Sequence, residues 1–131
     1  MSEIREYRGK RIDTGEWVYG GCYQEPIDEI KDGKTFIIGG ALYNVGSAYP
    51  VDPETVGQYT GLPDKNGTKI FDGDVVEVLY RNIGVIKKGK VVFEDFGWFC
   101  ATDYLDYVAR HCDIKVIGNI HDNLELLEVW E

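Results

Sequence analysis

Apolar residues in this chain fall in short runs separated by glycine and polar residues. Short runs rich in β-branched and aromatic residues, bounded by turn formers, are the pattern of half-buried strands. Ile4 to Arg8 and Arg11 to Tyr19 are therefore predicted as strands, the second interrupted by a turn at Asp13-Thr14-Gly15, and together they open the chain as a meander. Thr35-Phe36-Ile37-Ile38 follows the turn signal Asp32-Gly33 and stops at Gly39-Gly40. Further on, Asp74 to Tyr80, Gly84 to Lys88, Lys90 to Glu94, Gly97 to Ala101 and Ile114 to Ile120 read as strands with glycine or polar breaks. Asp103 to Arg110 fits a turn or two of helix as well as a strand, and Asp122 to Leu127 fits one helical turn capped by Asp122 or Asn123. Pro26 to Lys34 has little periodicity and three acids, which suits a mobile loop or a variable insertion.

The stretch from Asp52 to Asp74, DPETVGQYTGLPDKNGTKIFDGD, carries the densest backbone instructions. Asp52-Pro53 biases the chain to an extended or turning conformation, so no long helix crosses this point. Val56 to Leu62, with Tyr59 between Gly57 and Gly61, reads as a short strand or turn. Asn66-Gly67 is the pair that a two-residue hairpin turn with positive φ favours. Asp72-Gly73-Asp74 makes a second turn ahead of Val75-Val76-Glu77-Val78-Leu79-Tyr80. Gly57, Tyr59, Gly61, Asn66, Gly67, Gly73 and Asp74 are accordingly expected to be architectural.

Glu54 to Leu62, Asp64-Lys65-Asn66-Gly67 and Ile70 to Val76 together resemble the hallmark block of the YopX family of phage and prophage proteins. Tyr7 to Lys10 and Gly15 to Gly20 near the start are similar to that family too. So are Val116 to Ile120, Asn123 and Leu126-Leu127-Glu128 near the end. The likeness spans nearly the whole chain and is thinnest over Glu25 to Pro50 and Arg81 to Arg110. Leu124 stands where the family's tail has a proline. The resemblance implies a bacteriophage-related, largely β protein of uncharacterised function, with no catalytic residues to carry over.

The predicted fold is mainly β, built of short antiparallel strands in coiled sheets, with a small SH3-like or partly open barrel in the C-terminal half and little helix. The barrel expectation rests on Asp72 to Val76 and Gly89 to Phe93, which are similar to the opening of SH3-like barrels. At 131 residues one compact domain is expected, with an N-terminal meander over 1–50 and a second lobe over 51–131. Three Trp, nine Tyr, five Phe and sixteen Gly agree with many strands joined by tight turns. No run is long enough to span a membrane, and Met1 to Arg5 lacks a signal-like apolar core, so the expected location is the bacterial cytoplasm.

A formal net charge of −9 opposes non-specific binding to nucleic acid, which needs clustered Lys and Arg. Arg5, Arg8, Lys10 and Arg11 make the start locally basic, and Asp122, Glu125, Glu128 and Glu131 make the tail acidic. Lys87, Lys88 and Lys90 form the other dense basic cluster, more in keeping with a solvated edge strand than with a nucleic-acid contact. Cys22, Cys100 and Cys112 are odd in number and form no CxxC pair, so neither a disulfide framework nor a zinc site is expected, and no cofactor is implied. The phosphate-binding glycine loop, GxSxG and HExxH patterns are missing. Cys112 and His111 are neighbours that a strand would point to opposite faces. Asp72 and Asp74, or Asp103 and Asp106, suit turns better than acid–base work. The leading expectation is a non-enzymatic phage accessory protein that acts through contacts with a phage or host protein, using exposed aromatics and self-association. The alternative is a small β-barrel module that associates with nucleic acid through Lys87, Lys88 and Lys90 and aromatic stacking.

Overall fold

The structure, a computed structural model, describes residues 6–25, 33–39, 48–94, 97–100 and 103–123. The chain divides into two compact units, Met1–Tyr59 and Thr60–Glu131.

In the first unit, β1 (Tyr7–Lys10), β2 (Trp17–Gln24), β3 (Thr35–Gly39) and β4 (Ala48–Val51) form an antiparallel meander, and the start of β5 (Gly57–Pro63) pairs with β1. The turn expected at Asp13-Thr14-Gly15 is present and spreads over Arg11 to Glu16, so β2 begins only at Trp17; Ile4 and Arg5 of the first expected strand lie outside the described residues. Gly15 N donates to Arg11 O at 2.9 Å and Arg11 N to Glu16 O at 2.9 Å, while the Arg11 guanidinium grips the Asp13 carboxylate at 2.7 Å. Ile37 and Val51 are fully buried. The Asp52-Pro53 signal resolves as a single 3-10 turn, Pro53–Thr55, in which the Asp52 carboxylate accepts from Glu54 N at 3.1 Å. That turn is fastened to β1: Lys10 N donates to Thr55 Oγ1 at 2.8 Å and Asp52 N to Lys10 O at 2.9 Å.

The second unit receives the rest of β5 and adds β6 (Lys69–Phe71), β7 (Asp74–Tyr80), β8 (Val85–Lys90), β9 (Val92–Glu94), β10 (Gly97–Cys100), β11 (Asp103–Tyr104), α1 (Leu105–His111) and β12 (Asp113–Asn119). β5 pairs on to β6, and the other strands form two antiparallel sheets of order β12-β7-β8 and β11-β10-β9. The fold is mostly β with little helix, and its sheets are not closed into a barrel. β8 pairs with β7, whereas β9, one residue further on, pairs with β10. The ambiguous segment from Asp103 to Arg110 is a two-residue strand followed by a helix. Leu105 and Val108, three apart on one helical face, are both fully buried, whereas Asp106 and Arg110 meet in an exposed ion pair at 3.3 Å. The core beneath them is Ile70, Val76, Val78, Val91, Cys100, Leu105, Val108, Cys112 and Ile114. β12 pairs Val116 with Val76 and Gly118 with Val75, so Ile117 is a bulged residue that bends the strand.

The hairpin joining β5 to β6 corrects the two-residue turn that Asn66-Gly67 suggests. Asp64 N donates to Thr68 O at 2.8 Å and Gly67 N to Asp64 O at 3.0 Å, leaving a three-residue loop of Lys65, Asn66 and Gly67. Gly67 has φ 84°, the left-handed residue with which such loops end. The extra residue is accommodated by Asp64, whose side chain takes over the bonding that a shorter turn would leave to the backbone. Asp122 to Leu127 extends beyond the described residues, as do Gly40 and most of Pro26 to Lys34.

Candidate protein-contact surface

Two strands flank β7, and their outer edges differ. The outer edge of β12 is occupied by the loop after β5: Lys65 N donates to Ile114 O at 3.0 Å, and the Asp64 Oδ2 carboxylate oxygen accepts from Val116 N at 3.0 Å. The other oxygen, Oδ1, accepts from Asn66 N at 2.8 Å and Thr68 N at 2.9 Å, so one carboxylate, 7% exposed, both shapes the loop and seals the strand. At the opposite end of β7, Gly73 N donates to Val91 O, Ile120 N donates to Gly73 O, and Val91 N donates to Asp74 O. Asp74, 1% exposed, also accepts from Phe71 N at 2.8 Å. The signature residues Gly73 and Asp74 thus tie the entry of β7 to β6, β12 and the chain between β8 and β9. Of the remaining signature residues, Gly57 pairs with Arg8, Tyr59 N donates to Glu6 O at 2.8 Å, and Gly61 has φ 89° within β5.

The outer edge of β8 has no pairing strand among the described residues, although β10 approaches it. The β7–β8 hairpin turns through Arg81 to Gly84, with Gly84 N and Ile83 N both donating to Tyr80 O. Its tip and first residues are apolar and wet: Ile83 is 66% exposed, Ile86 53% and Val85 39%. Lys87, Lys88 and Lys90 follow in the same strand, opposite Val78, Glu77 and Val75 of β7. Strand alternation sends Lys88 and Lys90 to one face and Lys87 to the other, where its ammonium lies 5.5 Å from the Tyr80 ring centroid. The lysines that form one cluster in sequence are therefore divided between two faces in space.

Elsewhere in this unit, Thr60, Gly61, Leu62, Gly97, Trp98, Tyr104, Leu105 and Asp106 line an open groove of about 390 Å³. A Cβ at Gly97 would sit 3.1 Å from the Tyr104 ring, so a larger residue there requires that ring to shift. Phe93 packs edge-on to Trp98 at 5.1 Å, and Phe99 lies 4.2 Å from Tyr104. In the first unit, the basic residues of the start are directed to aromatic partners: Arg8 lies 4.6 Å and Lys10 5.7 Å from Trp17, and Arg11 lies 4.8 Å from Tyr49.

Cys100, Cys112 and Tyr80 of the second unit are held in their protonated forms. Burial pushes the Cys100 thiol up to about 12, with the Asp103 carboxylate adding to the effect, and burial raises Cys112 as well. Burial followed by the hydrogen bond to Asp103 raises the Tyr80 phenol, whose hydroxyl donates to Asp103 Oδ2 at 2.6 Å. His111 stacks on Tyr107 at 4.7 Å. Among the described residues no group of three or more His, Cys, Asp or Glu side chains is placed to hold a metal ion.

The family model described as YopX protein matches residues 6–128, which include the Asp64 loop, the Gly73-Asp74 node and the β8 edge. The chain belongs to the YopX family. Among solved structures, protein EF1440 from Enterococcus faecalis has a similar fold, with a TM-score of 0.54 and 24% identity over 96% of this chain and 99% of that one. No curated protein matches. No helix among the described residues of this YopX chain is long and apolar enough to cross a membrane.

Two features of this YopX chain escape a sequence reading. Asp64 sits inside the signature block, yet its three backbone partners are scattered over Asn66, Thr68 and Val116, the last 52 residues away, so no local pattern marks it. The open edge at β8 has a fainter signal: two apolar residues, Val85 and Ile86, directly after a turn and directly before lysines.

Proposed function

We propose that this YopX protein is a non-enzymatic accessory protein of phage or prophage origin that works by binding another protein, and that the β7–β8 hairpin of its second unit is the contact surface. One observation carries the reading: Ile83, Val85 and Ile86 are exposed at the start of a strand whose outer edge has no pairing strand among the described residues. Exposed apolar residues beside a free edge mark a place where a partner gains both area burial and backbone hydrogen bonds. The raised pKa values of Cys100, Cys112 and Tyr80 support the non-enzymatic part, since a protonated thiol or phenol is a poor nucleophile at neutral pH. A nucleic-acid partner is disfavoured by the net charge of −9 and by the division of Lys87 from Lys88 and Lys90.

The test is affinity capture from a lysate of the bacterial host, with and without nuclease, comparing the natural protein with an Ile83→Glu/Ile86→Glu variant of unchanged melting temperature. A protein retained after nuclease and lost with the variant is the expected result. Retention that disappears with nuclease, or that ignores the variant, refutes the reading.

A further inference from the structure

The open groove of about 390 Å³ is walled by described residues of the second unit, none of them in the β7–β8 hairpin. Its walls are held in place. The Tyr104 ring lies over Gly97, where a Cβ would approach it to 3.1 Å, and beside the Phe99 ring at 4.2 Å. Trp98 and Leu62 pack against the core of the unit. Gly61 has nothing within 4 Å of a Cβ built on it, which leaves that side of the groove unfilled. The Thr60 hydroxyl is spent on the backbone of Leu62, accepting from its N–H at 3.2 Å and donating to its carbonyl at 3.4 Å. The Trp98 indole N–H and the Tyr104 hydroxyl donate no hydrogen bond within the described residues. The indole nitrogen reaches water although Trp98 is half-buried, and Tyr104 is 53% exposed. The one charged lining residue is Asp106, whose partner Arg110 meets it at 3.3 Å with the two side chains 65% and 71% exposed. A pair so exposed is screened by water and exchanges for another cation at little cost.

We propose that this groove takes a proline-rich segment of a partner protein that carries an arginine or lysine beside its prolines. Proline offers a carbonyl but no N–H, so its backbone matches walls that present side-chain donors. A polyproline helix is already extended before it binds, and it docks on ring-lined grooves with little loss of chain entropy. The basic residue matches Asp106, and a chain of net charge −9 attracts it from a distance. A second copy of this chain is a poor occupant. Its nearest pair of prolines, Pro50 and Pro53, is held in β4 and the turn that follows, with a fully buried Val51 and an acidic Asp52 between them. Nucleic acid would bring phosphates to a carboxylate.

The probe is a fluorescein-labelled nine-residue peptide of repeated arginine-proline-proline. The comparisons are the same peptide with alanine for proline, the same with glutamate for arginine, and a single-stranded oligothymidylate. Binding to the full chain is followed by fluorescence polarisation and located by amide exchange. The probe should bind and protect residues 60–62, 97–99 and 104–106. Trp98→Phe and Tyr104→Phe each delete one donor and keep an aromatic ring, and each should weaken binding about two- to tenfold. Asp106→Lys should weaken it about fivefold, the effect of reversing one exposed charge pair. Ile83→Glu/Ile86→Glu should leave it unchanged, so the groove and the hairpin stand or fall separately. The proposal is overturned if any comparison binds as well as the probe, or if the three groove variants, with native melting temperatures, bind like the native protein. Protection elsewhere, a dimer in sedimentation that protects the groove, or no binding at about 1 mM peptide overturns it as well.

Discussion

Removing the Asp64 carboxylate tests the account of the signature loop most directly. In Asp64→Ala, the amides of Asn66, Thr68 and Val116 lose an ionised acceptor at 2.8, 2.9 and 3.0 Å. Asn66 and Thr68 are exposed, so water replaces the acceptor and each loss costs about 0.5–1 kcal/mol. Val116 is half-buried in a paired strand, and a buried donor without a partner costs about 1–3 kcal/mol. The sum is about 2–5 kcal/mol, a large share of the 5–15 kcal/mol typical of a whole domain. Asp64→Asn keeps one acceptor oxygen and should lose about half as much. Urea unfolding followed by tryptophan fluorescence gives the total. Amide exchange at Val116 gives the local part, which should accelerate more in the alanine variant than in the asparagine one. A loss below about 0.5 kcal/mol, with Val116 exchange unchanged, would refute the assignment of Asp64 as the element that seals β12.

Three further outcomes are expected. Gly67→Val, at φ 84° with open space around the position, should cost about 1–3 kcal/mol from backbone strain alone, while Gly67→Asn should be nearly neutral; equal melting temperatures for the two would show the loop geometry to be wrong. In the native protein at pH 7.5 a thiol reagent should modify Cys22, which is exposed, and spare Cys100 and Cys112 until denaturant is added; rapid modification of all three would contradict their burial. Stability should fall as pH rises above about 9. Cys100 is raised to about 12 and Tyr80 is raised too, so folding favours their protonated forms, and that contribution is whole below the unfolded-state values and disappears towards the folded ones. A midpoint in urea that does not change between pH 8 and pH 11 would oppose the assignment.

Much of the fold was legible because it depends on local chemistry. β-branched runs between glycines locate β7 and β12, and Asp72-Gly73 locates the turn before β7. What failed to show was set by distance along the chain. Lys10 N finds Thr55 Oγ1 across 45 residues, and Tyr80 reaches Asp103 across 23. The turn expected at Asp13-Thr14-Gly15 is present, but it spreads over Arg11–Glu16 and delays β2, because arginine and aspartate side chains brace it in addition to the backbone. The lysine cluster illustrates the same limit for the contact surface. Its density is plain in the sequence, but its division between two faces follows from strand geometry, and its exposure follows from the absence of a further strand beside β8 among the described residues.

The occupied edge of β12 also bears on how far the β12-β7-β8 sheet can grow. A sheet polymerises only if each unit can receive a strand on one side and offer one on the other, as cross-β assemblies do. With Asp64 and Lys65 occupying the β12 side, this sheet does not receive a further strand there. Loss of the Asp64 carboxylate would strip Val116 N of its acceptor and leave the Lys65 N to Ile114 O bond as the cover of that edge, a weaker stop to sheet growth.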